Sequence, residues 1–264
     1  MDTLPTLLEA MGFTATLLTE PTSPAPYLFA ERDEGAPLTV FVYAHGDVVN
    51  GQESEWREGI SPWQVTEVDG RWYGRGVADN KGQHTVNLEA LKAVLAARGR
   101  LGFNAKVLVD MGEETGSPGL RALAERHRAR FAADILVASD GPRFAADRPT
   151  LFMGSRSGVD IIMTVHPREG AHHSGNWGGL LSNPAIRLAH AIAATVGPTG
   201  RIKVPGWTPE SILPSIRRSL AGLELAPMPG EPAIDPEWGE PGLTRVEQVF
   251  AWCSFEVLAF LTGD

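Results

Sequence analysis

The chain has 264 residues, 43% of them hydrophobic, enough to bury a core in one large or two smaller domains. Its formal charge of -9, with no Lys/Arg stripe, zinc-finger spacing or basic arm to offset it, argues against a nucleic-acid partner. One cysteine, Cys253, excludes an intramolecular disulfide; without a basic leader or a long apolar run, a cytoplasmic protein with no membrane partner is expected.

Residues 4–11 (LPTLLEAM) read as a short helix closed by Gly12, and FTATLLT alternates as a strand. YLFAER and TVFVYA are two further strands on either side of the charged turn RDEGAP. The second is apolar on both faces, as in a parallel strand covered by helices. From His45 to Gly82 runs a long working loop in which Trp56, Trp63 and Trp72 are expected to pack the chain down. Residues 83–98 are helical, with Val86, Ala90, Leu91, Val94 and Leu95 on one stripe and Gly99 at the end. AKVLVD is the next buried strand, 118–130 the next helix and ADILVA the strand after it. This alternation predicts an α/β fold, an open, mostly parallel sheet with helices on both faces.

A composition shift near Pro149 divides the chain into domains over 1–153 and 154–264, the second smaller and of α+β type. There, SGVDIIMTVHP reads as a half-exposed strand and NPAIRLAHAIAATV as a helix begun by Asn183 and Pro184. A stretch rich in Pro and Gly follows, with a helical piece around 211–221 and a helix-like segment over 246–260.

The chemistry-bearing residues stand just past the apolar runs: His45 and Asp47 after TVFVYA, Glu113 and Glu114 after AKVLVDMG, Asp140 after DILVAS. Ligands in open α/β sheets bind beyond the carboxyl ends of the strands. Asp79, in GRGVADNKG, stands at the mouth of the following helix. Carboxylates and an imidazole gathered at one edge repel unless cations are present, so a metal-centred hydrolase is expected. Mixed His and carboxylate ligation suits zinc, with a neighbouring Glu as proton acceptor. A phosphate cradle is disfavoured because the glycines around Gly74, Gly76 and Gly82 lack GxGxxG spacing and a GKS/GKT ending. A serine hydrolase is disfavoured because GSRSG places Arg156 at the elbow. His84, His127, His166 and His190 read as surface or cap residues.

Five ordered segments, YAHGDVV at 43–49, GRGVADNKG at 74–82, GEETGS at 112–117, SDGP at 139–142 and HHSGNWGG followed by SNP at 172–184, resemble one family. It is the zinc-dependent amidohydrolase and exopeptidase family that includes acetylornithine deacetylase, succinyl-diaminopimelate desuccinylase, carboxypeptidase G and carnosinase-like dipeptidases. The resemblance implies a catalytic first domain and a lid or dimerisation second domain. It implies up to two zinc ions, with cobalt or manganese as substitutes: His45 and Asp140 on one, Glu114 on the other, Asp79 bridging. It makes Glu113 the general base, Asp47 the residue that orients His45, and His173, with His172 as its rival, the group that reaches a twin subunit's site in a homodimer. Hydrolysis of N-acyl amino acids or dipeptides is the expected activity; the rival expectation is a non-catalytic dimerising or metal-binding protein on the same scaffold. Family members carry a further start and a returning segment with a last zinc-binding histidine, which no residue here matches. The second site is therefore expected to hold only Asp79 and Glu114, and the chain is expected to be a piece of a longer enzyme with weak activity alone.

Overall fold

The computed structural model describes residues 3–141, 148–225 and 232–262. The chain forms two compact units, Met1–Pro142 and Arg143–Asp264.

The first unit begins with α1 (Thr3–Ala10), β1 (Thr14–Leu18), β2 (Tyr27–Arg32) and β3 (Thr39–His45). The long loop after β3 holds a 3-10 turn at Glu53–Glu55 and a hairpin of β4 (Thr66–Val68) and β5 (Arg71–Tyr73). α2 (Lys81–Arg98), β6 (Asn104–Asp110), a 3-10 turn at Glu113–Thr115, α3 (Leu120–Arg126), α4 (Arg128–Phe131) and β7 (Ile135–Ala138) follow.

The main sheet has the order β1-β2-β6-β3-β7. β3 lies parallel to β6 on one side and to β7 on the other, which is the α/β core that the alternation of strands and helices predicts. β1 and β2 add antiparallel pairings, so the sheet is mixed. The physical cause is connection length: β1 and β2 are joined by a loop too short for a crossover, whereas the β3 to β6 connection contains α2.

Period-two alternation sends each strand's side chains to two cores. Leu28, Ala30, Val42, Ala105, Val107 and Val109 face one side, packed by Leu8 of α1 and by Leu88, Leu91 and Leu95 of α2. Tyr27, Phe29, Phe41 and Leu108 face the other, covered by Leu123 of α3 and Phe131 of α4. Phe29 is fully buried, stacks on Phe131 at 5.0 Å and lies under the Arg130 guanidinium at 4.6 Å. Truncating such a residue costs about 3–5 kcal/mol.

Several local expectations are corrected. The core-facing stripe of α2 runs through the buried His84 and Leu88 and the half-buried Leu91, Val94 and Leu95, while Val86 is 65% exposed. The helix expected over 118–130 breaks at His127 into α3 and α4. The β4–β5 hairpin lies in the supposed loop; its turn is Asp69-Gly70, both at positive φ, the pairing that matches strand twist. Trp56 does tie the loop down, donating from Nε1 to the Gly51 carbonyl, and Trp63, although 60% exposed, donates from Nε1 to Glu53 across the same loop; Trp72 is 68% exposed. β7 is exposed along its length and is the outer strand beside β3.

The second unit contains α5 (Ser174–Trp177), α6 (Pro184–Thr195), α7 (Pro214–Leu220) and α8 (Arg245–Ala251). Asn183 caps α6 by accepting from Ile186 N, as its position before Pro184 predicts. α8 starts in a capping box of Thr244 and Glu247, and Glu247 also pairs with Arg217 of α7 at 2.9 Å. It ends at Ala251, so the helix expected over 246–260 is confined to its first part. Residues 157–167 find no ladder partner and form no strand, and an isolated bridge joins Val196 to Ile202. Pro142 of the SDGP segment lies outside the described residues. No helix among the described residues is long and apolar enough to cross a membrane.

Candidate metal centre

The parallel strands β6, β3 and β7 end at one edge of the sheet. β3 delivers His45 there as its last residue, with the ring 1% exposed. Asp47 follows two residues on, Glu113 and Glu114 open the 3-10 turn beyond β6, and Asp140 lies two residues past β7. Asp79 comes from the loop that ends at Asn80, the N-cap of α2. Gly82 makes this approach possible: a Cβ there would stand 2.0 Å from the Val77 carbonyl oxygen.

His45 Nε2 is the focus of the cluster. Asp79 Oδ1 lies 2.9 Å from it, Asp140 Oδ2 3.6 Å and Glu113 Oε2 3.9 Å. On the opposite side of the ring, Nδ1 is 3.3 Å from Asp47 Oδ1, an approach without hydrogen-bond geometry, and this buried nitrogen has no other partner. Asp47 also accepts the backbone N–H groups of Glu113 and Glu114 at 3.2 and 3.0 Å. Asp110, buried at the end of β6, shapes the same turn by accepting from Gly112 N and from the Tyr43 hydroxyl.

Electrostatics follow from this crowding. Burial disfavours the protonated His45 ring, but Asp140, Asp79 and Glu113 outweigh it and raise its pKa above the ordinary histidine value. Burial pushes the Glu113 carboxyl up; Asp140, Glu114 and Asp47 add to this, and His45 opposes it.

The cluster fits a metal ion. One ligand atom from each of His45, Asp79 and Asp140 lies within 4.8 Å of the others, the sole such group of three among the described residues. A nitrogen and two carboxylate oxygens are a zinc-type donor set, and the ring presents Nε2 to the carboxylates while Nδ1 faces Asp47. The Glu114 side chain is outside this group. His173 lies in the second unit, where its Nδ1 accepts from Gly175 N and caps α5. His172 meets Trp177 edge to face.

Two structural partners were not legible beforehand. His84, expected as a surface or cap residue, is buried and donates from Nδ1 to the His45 carbonyl at 3.1 Å. Burial lowers its pKa, so the neutral ring is favoured. Asn80 is fully buried and accepts from His45 N. Their spacing, Asn80, His84, Leu88, is one helix face; correct phasing of α2 is the signal that would have exposed both.

Residues 41–242 match Peptidase family M20/M25/M40. The chain is 32% identical over 224 residues to a cysteinylglycine-S-conjugate dipeptidase of Corynebacterium striatum, covering 80% of this chain and 49% of that protein. It is 35% identical over 171 residues to the human Beta-Ala-His dipeptidase, covering 64% and 33%. The crystal structure of human carnosine dipeptidase 1 superposes with a TM-score of 0.64 at 27% identity, covering 84% of this chain and 50% of that one. The chain thus spans half or less of the length of these relatives. With the match covering most of its length and the metal-ligand cluster at the strand tips, the chain belongs to peptidase family M20/M25/M40.

Proposed function

We propose that this chain carries the metal-binding and proton-transfer groups of a dipeptidase, acting on dipeptides or N-acyl amino acids with a free carboxylate. The observation that carries the reading is the convergence of the Asp79, Asp140 and Glu113 carboxylates on His45 Nε2. The dipeptidase names of the Corynebacterium striatum and human relatives support the substrate class.

In this reading His45, Asp79 and Asp140 hold zinc, which when bound polarises the amide carbonyl and lowers the pKa of water. Glu113 takes the proton of the attacking water and passes it to the leaving amine; burial, which raises its pKa, suits it to both steps. Asp47 keeps the His45 ring oriented and, through its two backbone contacts, keeps Glu113 in register with it. Glu114, together with Asp79, would hold a second zinc, and His173 would serve a twin subunit's site in a homodimer. The single cysteine supports a cytoplasmic home.

The test is amine release from a dipeptide panel by the zinc-loaded chain. Glu113→Gln should lose at least about 100-fold in kcat while retaining zinc. Equal rates for the two proteins would reject the role of Glu113, and a zinc-loaded chain without turnover would favour a metal-binding scaffold.

A further inference from the structure

The geometry points to Asn80 as a positioning residue: its buried carboxamide bridges the end of β3 to the chain leaving β7 and thereby fixes Asp140 opposite His45. The inference rests on the reading of His45, Asp79 and Asp140 as a metal site.

Asp140 is the ligand that ordinary sheet structure holds least. β3 stays paired to β6 as far as His45 and Asp110, but its ladder with β7 stops at Tyr43 and Ala138. Asp140 is therefore two residues beyond the last rung of an outer strand that is exposed throughout. Neither a ladder nor core packing sets its position, yet its carboxylate stands 3.6 Å from His45 Nε2. Metal ligation tolerates errors of about 0.2 Å in ligand distance, so something else must fix this segment.

The first turns of α2 supply it. Asn80 Oδ1 accepts from His45 N at 3.4 Å, and Nδ2 donates to the Ser139 carbonyl at 2.5 Å and to Gln83 Oε1 at 2.7 Å. Gln83 Nε2 donates to the Gly141 carbonyl at 3.0 Å, and Asn87 Nδ2 to Ser139 Oγ at 2.8 Å. The residues on both sides of Asp140 are thus tied to one helix.

The residue type matters. Gly46 N donates to the Asp110 carbonyl, toward β6, so the preceding N–H, that of His45, points toward β7. There it meets Asn80 Oδ1 in place of a strand carbonyl, and the same carboxamide passes the link on to Ser139. A primary amide offers an acceptor and two donors in one plane, and Asn80 uses all three. An aspartate has no donor for the Ser139 carbonyl, and an apolar residue has neither function. Because Asn80 directly follows Asp79, one dipeptide places one carboxylate ligand and locks the other two ligands against each other.

The experiment measures zinc dissociation constants of the full chain by competition with a chromophoric chelator, alongside the Tm of each metal-free variant. Asn80→Ala should weaken zinc binding about tenfold or more. Gln83→Ala and Asn87→Ala should give smaller losses in the same direction. Leu88→Ala, which empties a buried position on the same helix, controls for instability: it should lower Tm and keep wild-type zinc affinity. Asn80→Ala with wild-type affinity, or Leu88→Ala losing as much affinity as Asn80→Ala, would overturn the inference. A wild-type chain that binds no zinc would instead overturn the metal reading itself, and the inference with it.

Discussion

Asp47 and His45 face each other at 3.3 Å across the buried side of the imidazole, and the same Asp47 carboxylate receives the backbone of Glu113 and Glu114. One side chain therefore couples the tip of β3 to the turn after β6. Asp47→Ala should weaken zinc binding by about 10–100-fold, as loss of an imidazole's supporting carboxylate does. It should also cost about 1–3 kcal/mol of stability, because two backbone N–H groups lose their acceptor. Chelator competition and urea denaturation measure the two effects separately.

Zinc binding should appear as stability. At a free concentration 100 times its Kd, zinc should stabilise the chain by about 2.7 kcal/mol, reversed by chelation. His45→Ala removes the nitrogen on which the carboxylates converge and should abolish that gain in calorimetric melts. A zinc-dependent Tm rise of wild-type size in His45→Ala would place the metal elsewhere.

Gly82→Ala should be costly although the substitution is small. The new Cβ would meet a backbone carbonyl oxygen at 2.0 Å, an atom that cannot rotate away. Overpacking of this kind costs about 1–3 kcal/mol, and the strain falls on the Ala78–Asn80 approach to α2. Urea denaturation should show the loss of stability, and a zinc titration should show reduced affinity.

Glu34 should confer acid sensitivity. The backbone N–H groups of Leu101 and Gly102, aided by Arg32, hold its carboxyl below the usual glutamate range. A depressed carboxylate contributes stability fully above its ordinary pKa and loses it as pH falls through the folded value. Glu34→Gln should therefore lower Tm at neutral pH, with the gap to wild type closing under acid. A gap that stayed constant down to pH values below the carboxylate range would contradict this assignment.

Much of the fold was legible because its signals are local. YLFAER and AKVLVD coincide with β2 and β6 to within one residue, since alternation and apolar runs report how a strand meets its neighbours. The ligand candidates were legible for a similar reason: His45 and Asp140 stand immediately past apolar runs, where an open α/β sheet presents its working edge. The β4–β5 hairpin was missed although Asp69-Gly70 carries its turn signal, because the flanking strands are only three residues long. The second unit was less legible: α6 announced itself through Asn183 and Pro184, whereas the alternation at 157–167 found no partner, and a strand exists only as a pair.

The sequence by itself determined the α/β class, the parallel centre of the sheet and the residue types of a metal site, because each depends on short-range pattern. Tertiary structure decided which of those residues meet. It brought His45, Asp79 and Asp140 within one ligand sphere, left the Glu114 side chain out of that group, and turned His84 and Asn80 inward beneath it. The physical reason is that distances of 3 to 4 Å between residues tens of positions apart are set by strand register, helix phase and buried hydrogen bonds acting together, and no single segment encodes them.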